Sequence, residues 1–511
     1  MRRPLSLLIA AGALTLALAV GVSASNFLTV GSLVQVSGTS PFPASCDLGQ
    51  TGVVYLNSEV EPWLDVNPAN PANLVGAWQQ DRWDDGGARG LVAGVSFDGG
   101  LNWASVVIPK ITQCSGGTAA NGGNYQRSTD PWVSFGPDGT VHQLALSFND
   151  FVPPFTEFDF DHALLASKST NGGLTWSDPE VVIRDTDANV FNDKQTITAD
   201  PVNAGNVYAV WDRLVFPTSE RANVIAGFVT AAFRGPAWFA RSTDGGDSWE
   251  PARQIYDPGQ NDQTIGNQIV VLPDGTLVNL FNEIHNDNSK KQRGDSVRII
   301  RSTDEGDTWS KPILVDRLGT IFVTDPESGD DVRTGDIIPD IAVAPNGDLY
   351  VVWQDARPNG GQADGIALAK STDGGLTWSQ RVKVNKTPTN IPIGNQQAFT
   401  PSVDVAADGT VAVTYYDFRN NTVAADLKTD YFVVHCHPGG SSTGCTSESD
   451  WVNEIKLTDV SFDMRQAPLT TTGFFTGDYE GLASASNDFT PFFSQPHGND
   501  SSSVFFRRVG P

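Results

Sequence analysis

Four short pairings of a carboxylate with a nearby arginine recur along this 511-residue chain: Asp81-Arg82, Asp212-Arg213, Asp355-Ala356-Arg357 and Asp417-Phe418-Arg419. Each follows a run that reads as a β-strand. An arginine fork matches a carboxylate bidentately, so arginines gathered at one opening could hold the carboxylate of an acidic sugar. A local surface ion pair is the plainer role for any one of them, and such pairs contribute little. Recurrence at equivalent points is what favours a shared role. Glu61, Arg127, Asp130, Asp193, Glu283, Asp336, Asp478, Tyr479 and Glu480 are expected on the same face. Other chemistries find little footing: there is no Gly-x-Ser-x-Gly, His-Glu-x-x-His, phosphate loop or EF-hand loop, and the six histidines are scattered. Calcium in acidic loops such as Asp325 to Asp331 is possible, although such loops usually just face water.

A repeat must position these residues. The phrase Ser-x-Asp-x-Gly-x-x-Trp, once with Asn for Asp, starts at Ser96, Ser169, Ser242, Ser302 and Ser371. Its Asp or Asn can accept backbone N–H groups, its Gly supplies positive φ, and its Trp buries a large ring. One tight turn per near-regular period marks a repeat of a supersecondary unit. The second unit shows the plan. Pro131 to Phe135 reads as an inner strand, Pro137-Asp138-Gly139 as a turn, and Val141 to Phe148 as the second strand. Ala163 to Ser167 is the third, and Val181 to Ile183 the outer. Four antiparallel strands per unit make one propeller blade. Inner strands start near Pro62, Pro131, Lys194, Asn267, Pro339, Pro401 and Tyr479, which favours seven blades. Phe27 to Val36 would supply the closing strand, and six blades plus a C-terminal segment is the alternative. The fold class is therefore all-β.

The phrase is the Asp-box of sialidase-like β-propellers, and the chain resembles that family over residues 55–511. The closest likeness is to an exported subgroup of uncertain substrate. The resemblance implies a glycoside hydrolase releasing terminal acidic sugars from glycans, with an arginine clamp for the substrate carboxylate. It also implies a Tyr nucleophile polarised by a Glu, and an Asp as acid/base. A neutral Tyr suits a centre flanked by a carboxylate, which repels an anionic nucleophile. Carried onto this chain, Tyr479 is the expected nucleophile, Glu283 its partner, and Asp84 or Asp85 the acid/base. Arg82, Arg298, Arg357 and Arg419 are the expected substrate-binding residues. The family's Arg-Ile-Pro triplet is absent; the equivalent strand reads Glu61-Pro62-Trp63, and Arg82 or Arg127 would have to replace that charge. The Asp-boxes themselves are structural and lie on the opposite face. A non-catalytic propeller that binds glycan or protein is the second reading. A hydrolase of another glycan with paired carboxylates is the third.

The net charge of −26 argues against a nucleic-acid partner. Arg2 and Arg3 precede an apolar run from Leu5 to Val22, and Val22-Ser23-Ala24 reads as a signal-peptidase site. Residues 1–24 are thus expected to be a signal peptide and the mature protein secreted, with no membrane span once cleaved. It is expected to act as a monomer, without a cofactor. Cys46, Cys114, Cys436 and Cys445 suggest two disulfides in an exported chain. Of three possible pairings, Cys46–Cys114 and Cys436–Cys445 join residues expected to be near each other.

Overall fold

The computed structural model describes residues 28–46, 50, 52–149, 151–152, 157–158, 161–187, 189–216, 234–285 and 294–511. The expected signal peptide lies outside the described residues. So does Phe27, the first residue of the expected closing strand.

The chain is all-β, and six four-stranded antiparallel sheets follow one another among the described residues. The first comprises Glu59–Val66, Leu74–Arg82, Ala88–Ser96 and Ala104–Val107. The second comprises Arg127–Phe135, Val141–Phe148, His162–Ser169 and Glu180–Asp185. The same meander recurs from inner strands Val190–Ala199, Asp262–Val271, Asp340–Val343 and Ala398–Val405. Each sheet is packed between two neighbours, so its middle strands are buried on both faces. Leu74–Arg82 and Ala88–Ser96 are buried at every position, which is why they read as continuous apolar runs rather than alternating ones. Outer strands such as Ala104–Val107 face solvent.

Short side chains fasten one inner strand to the next. Asp65 accepts the Phe135 N–H at 2.6 Å and Ser134 accepts that of Ala199 at 3.1 Å. Thr198 donates to the Ile269 carbonyl at 2.8 Å, Asp340 accepts the Val403 N–H at 2.8 Å, and Ser484 donates to the Val405 carbonyl at 3.2 Å. The last strands pack back on the first sheet. Ser494 donates to the Glu59 carbonyl at 3.1 Å, and Ser58 bridges Ser502. Phe492 tilts against Trp78 and Trp103. In this last group Phe492–His497 pairs with Asp500–Phe506, which pairs in turn with Val34–Gln35 from the N-terminal segment.

The five repeated turns are built alike. In each, the serine hydroxyl accepts the N–H of the glycine four positions on, at 2.9 Å for Gly100 and 2.8 Å for Gly375. The Asp98 carboxylate accepts the Asn102 N–H at 2.9 Å, and the Trp103 indole donates to the Gly100 carbonyl at 2.9 Å. The sixth sheet lacks this turn. There the Cys436–Cys445 disulfide closes the connection between Lys428–Cys436 and Val452–Lys456, and Cys46–Cys114 ties the N-terminal segment to the first sheet.

Two predictions follow from the packing. Gly100 has φ +93°, and a Cβ there would lie 2.1 Å from the Phe506 ring. Gly100→Ala should lower stability by about 1–3 kcal/mol in denaturant unfolding. Burial also pushes Asp65 and Asp340 up to about 6 and Asp404 up to about 7. Between the ordinary value near 4 and these raised values, the folded chain binds more protons than the unfolded one. Their contribution is thus full below pH about 4 and is lost as pH rises through 6–7. Hydrogen bonds from Asn102 and Thr308 hold Asp98 and Asp304 at about 2, so their contribution is lost only as pH falls through that value. Thermal unfolding should therefore occur at a higher temperature at pH 5 than at pH 8.

Candidate functional site

Five of the six inner strands carry a bulge at the same place. The register shifts between Val60 and Trp63, Thr129 and Trp132, Asp193 and Thr196, Ile265 and Gln268, and Phe399 and Ser402. The residue at the bulge is left-handed in every case: Glu61 (φ 52°), Asp130 (50°), Lys194 (48°), Gly266 (69°) and Thr400 (48°). Such a conformation costs a non-glycine residue free energy and persists only where the surroundings enforce it. Its effect is to turn these side chains toward one another at the end of a channel whose lining includes Trp63, Trp132, Thr196, Gln268, Asp340 and Ser402.

Lys194 sits at the centre of this mouth. Its ammonium has three N–H groups, and they meet Glu61 Oε1 at 3.0 Å, Asp130 Oδ1 at 2.8 Å and Asp478 Oδ2 at 2.7 Å. All four side chains are at least nine-tenths buried. Burial pushes the ammonium down, and Asp130, Asp478 and Glu61 more than offset it, so Lys194 stays charged well above its ordinary range. Burial would likewise raise Asp478, yet Arg333 and Lys194 hold it well below the carboxylate range. Glu61 moves the other way, because its burial outweighs the pull of Lys194.

Two arginines extend the group. Arg333 Nε donates to Asp478 Oδ1 at 2.8 Å, and its Nη2 pairs with Oδ2 of the same carboxylate. Arg82 Nη1 donates to Gln79 Oε1 at 3.2 Å and to the Gly87 carbonyl at 3.0 Å, and Gln79 donates to Glu61. The two guanidinium groups lie 4.3 and 5.1 Å from the centroid of the Phe475 ring. Burial and the nearby Arg333 lower Arg82 to about 10, and its buried Nε has no hydrogen-bond partner among the described residues. The Arg333 side chain is 28% exposed and forms the open face of the group. Asp193 and Asp336 are partly exposed beside it.

The residues expected from sequence distribute unevenly around this mouth. Tyr479 is on it, with Lys194 Nζ 5.6 Å from its ring centroid, and it packs edge-on against the Trp63–Trp132 stack. Its hydroxyl donates to the Pro131 carbonyl at 3.2 Å, and burial raises its pKa well above the ordinary value. Glu283 instead accepts from the Tyr256 hydroxyl at 2.6 Å and meets His285 Nε2 at 3.1 Å and Arg298 Nε at 3.5 Å. The expected Tyr–Glu partnership at Tyr479 is therefore not what the structure contains, because Glu283 is spent on partners in its own sheet and in the preceding one.

Arg357 is bound to Asp355 and Asp316, and Arg419 to Asp417 and Glu454. These two are local ion pairs, and of the four expected arginines it is Arg82 that joins the central group. Asp84 accepts the Val53 N–H at 2.8 Å, and Asp85 pairs at 2.5 Å with the buried Arg127, which lies over Trp83. Both brace a loop. In the Asp325–Asp331 loop the cation is a side chain: Arg465 contacts Asp325 at 2.6 Å and Glu327 at 3.4 Å.

Sequence reasoning missed Lys194, Arg333 and Phe475. A signal was present for the first. Glu61-Pro62-Trp63, Asp130-Pro131-Trp132, Lys194-Gln195-Thr196 and Thr400-Pro401-Ser402 align as strand starts, and their first positions share the mouth.

With this geometry in view, residues 236–423 match the model of the BNR repeat-like domain. This stretch is thus BNR repeat-like. A xyloglucanase from Paenibacillus sp is 28% identical over 190 residues, covering 34% of this chain and 15% of that protein. The chain thus spans about 15% of the length of the curated relative it matches. Among solved structures, the Hadza microbial sialidase Hz136 aligns at 14% identity and TM-score 0.46, over 85% of this chain and 76% of that one. The α-L-arabinanase of Penicillium chrysogenum, complexed with arabinobiose, aligns at 14% identity and TM-score 0.45, over 76% and 94%. The Trypanosoma rangeli sialidase aligns at 14% identity and TM-score 0.42, over 94% and 59%. Within this BNR propeller, no helix among the described residues is long and apolar enough to cross a membrane.

Lys194→Met should leave three buried carboxyl groups without their shared cation and cost about 3–5 kcal/mol. The loss should be larger at pH 8 than at pH 5, where protonation relieves the unpaired charge. Denaturant titrations of both proteins at the two pH values measure it.

Proposed function

We propose that the protein is an exported glycoside hydrolase acting on acidic sugars at the channel mouth, on a ring of seven blades closed by Val34–Gln35. The observation that carries the reading is the gathering of Arg82, Arg333 and Lys194 around Phe475, Asp478 and Tyr479. In a chain of net charge −26, this group sets three cations at one opening, with Arg82 Nε unpartnered and Arg333 partly exposed. A sugar carboxylate would find there the paired N–H geometry that its two oxygens fit. Carboxyl groups of unlike protonation stand beside the cations, the arrangement from which acid and base roles are drawn. The two disulfides suit an oxidising compartment. The sialidase-like fold and the glycosidase named among the curated relatives support the same class of reaction.

The test is release of sugar from α-sialosides and from uronic-acid glycosides. Arg333→Ala should raise KM at least tenfold for an acidic sugar and leave a neutral analogue unaffected. Absence of turnover on every acidic glycoside between pH 4 and 8 contradicts the proposal.

A second reading is a non-catalytic propeller that binds glycan. The Tyr479 hydroxyl, committed to the Pro131 carbonyl, favours it, because no carboxylate is placed to activate that oxygen. Binding on a glycan array without product formation would support this reading.

A further inference from the structure

A second carboxyl pair stands next to the Lys194 group. Gly335 (φ 58°) approaches the Asp478 backbone so closely that a Cβ would lie 2.0 Å from the Asp478 carbonyl oxygen. Arg333, two residues earlier, is bound to Asp478, and the Asp478 charge acts on Asp336, one residue later. Asp336 is partly exposed. Its Oδ2 lies 3.3 Å from the Thr320 hydroxyl, which lies 2.8 Å from Asp364 Oδ2.

Asp364 also accepts the Gln354 side-chain amide at 2.9 Å and the Ile321 N–H at 3.1 Å. Thr320 has a single hydrogen to give to the two carboxyl groups, and its shorter contact is to Asp364. Burial raises both carboxyl groups, and with Asp364 and Asp478 nearby Asp336 is pushed up to about 7. Asp364 is fully buried, so Asp336 is the member of the pair that a ligand can reach.

The neighbouring residue adds a second, independent observation. Phe322 holds a left-handed backbone (φ 68°) and is 63% exposed. A bulky residue in that conformation is strained, and here the strain holds an aromatic ring out to solvent. An exposed ring beside a proton donor suits a sugar stacked on the leaving-group side.

We propose that Asp336, the partly exposed member of the Asp336–Thr320–Asp364 group, is the proton donor of the mouth, with Phe322 supporting the leaving-group sugar. This role rests on the glycosidase reading. As the glycosidic C–O bond breaks, its electron pair stays on the leaving oxygen, which takes the Asp336 proton. Water adds to the anomeric carbon, and the proton it loses restores Asp336 through solvent.

Wild type, Asp336→Asn and Thr320→Val are compared on a nitrophenyl and an alkyl glycoside of N-acetylneuraminic acid. Asp336→Asn should lose about 10²–10⁴-fold on the alkyl glycoside, whose leaving group needs a proton, and far less on the nitrophenyl one. Thr320→Val, which removes a hydrogen bond favouring the ionised Asp336, should move the alkaline limb of the alkyl-glycoside pH profile to higher pH while leaving the fold intact by circular dichroism. Infrared difference spectra at pH 6 should contain a protonated-carboxyl band that Asp336→Asn removes. Equal losses on both glycosides, or an infrared band unchanged by Asp336→Asn, overturn the donor role alone. Turnover of neither glycoside by the wild type overturns the glycosidase reading and the donor role together.

Discussion

One ammonium group holds this ring of sheets together at its mouth. Lys194 belongs to the third sheet, Glu61 to the first, Asp130 to the second, and Asp478 to the segment leading into the last strands. Its three N–H groups therefore fasten parts of the chain separated by as many as 284 positions. A buried ion group of this kind is not a cheap source of stability, since removing charges from water costs several kcal/mol for each ion. What it supplies is specificity of arrangement. Only one register of the inner strands places all three carboxylates on the same nitrogen, and the left-handed bulges at Glu61, Asp130 and Lys194 are the local distortion that allows it.

The same constraint shapes the chemistry. Lys194 and its three carboxyl partners, spent on one another, form a rigid floor. Beside it Arg333 keeps an open face and Asp336 is partly exposed, while Arg82 is buried with an Nε that has no partner among the described residues. Preorganised charge on a rigid support is what glycoside cleavage asks of a protein, because most of the barrier reduction comes from groups already in place. The committed hydroxyl of Tyr479 and the remote bonding of Glu283 show that a sialidase-like scaffold does not by itself carry a sialidase's constellation.

Much of the scaffold is legible in the sequence. The five Ser-x-Asp-x-Gly-x-x-Trp turns mark their hairpins because serine, aspartate and glycine each do one local job that short-range geometry requires. Strands such as Val141–Phe148 are apparent from their apolar runs, and the Cys436–Cys445 closure from its spacing. The site is less legible. Arg357 and Arg419 sit at repeated, suggestive positions, yet each is consumed by a carboxylate of its own neighbourhood, which no local pattern reveals. Lys194 carries no motif, and its importance arises from three carboxylates far away in the chain. Asp336 and Asp364 are likewise joined only through the Thr320 hydroxyl, from a third point in the chain.

The most direct measurement is a crystal structure of the protein with the free acidic sugar soaked in. The account predicts the sugar at the channel mouth, its carboxylate against Arg333 and Arg82 and its ring near Asp336. A sugar bound on the Asp-box face, or held by Arg357 or Arg419 in the connections after the second strands, would contradict it.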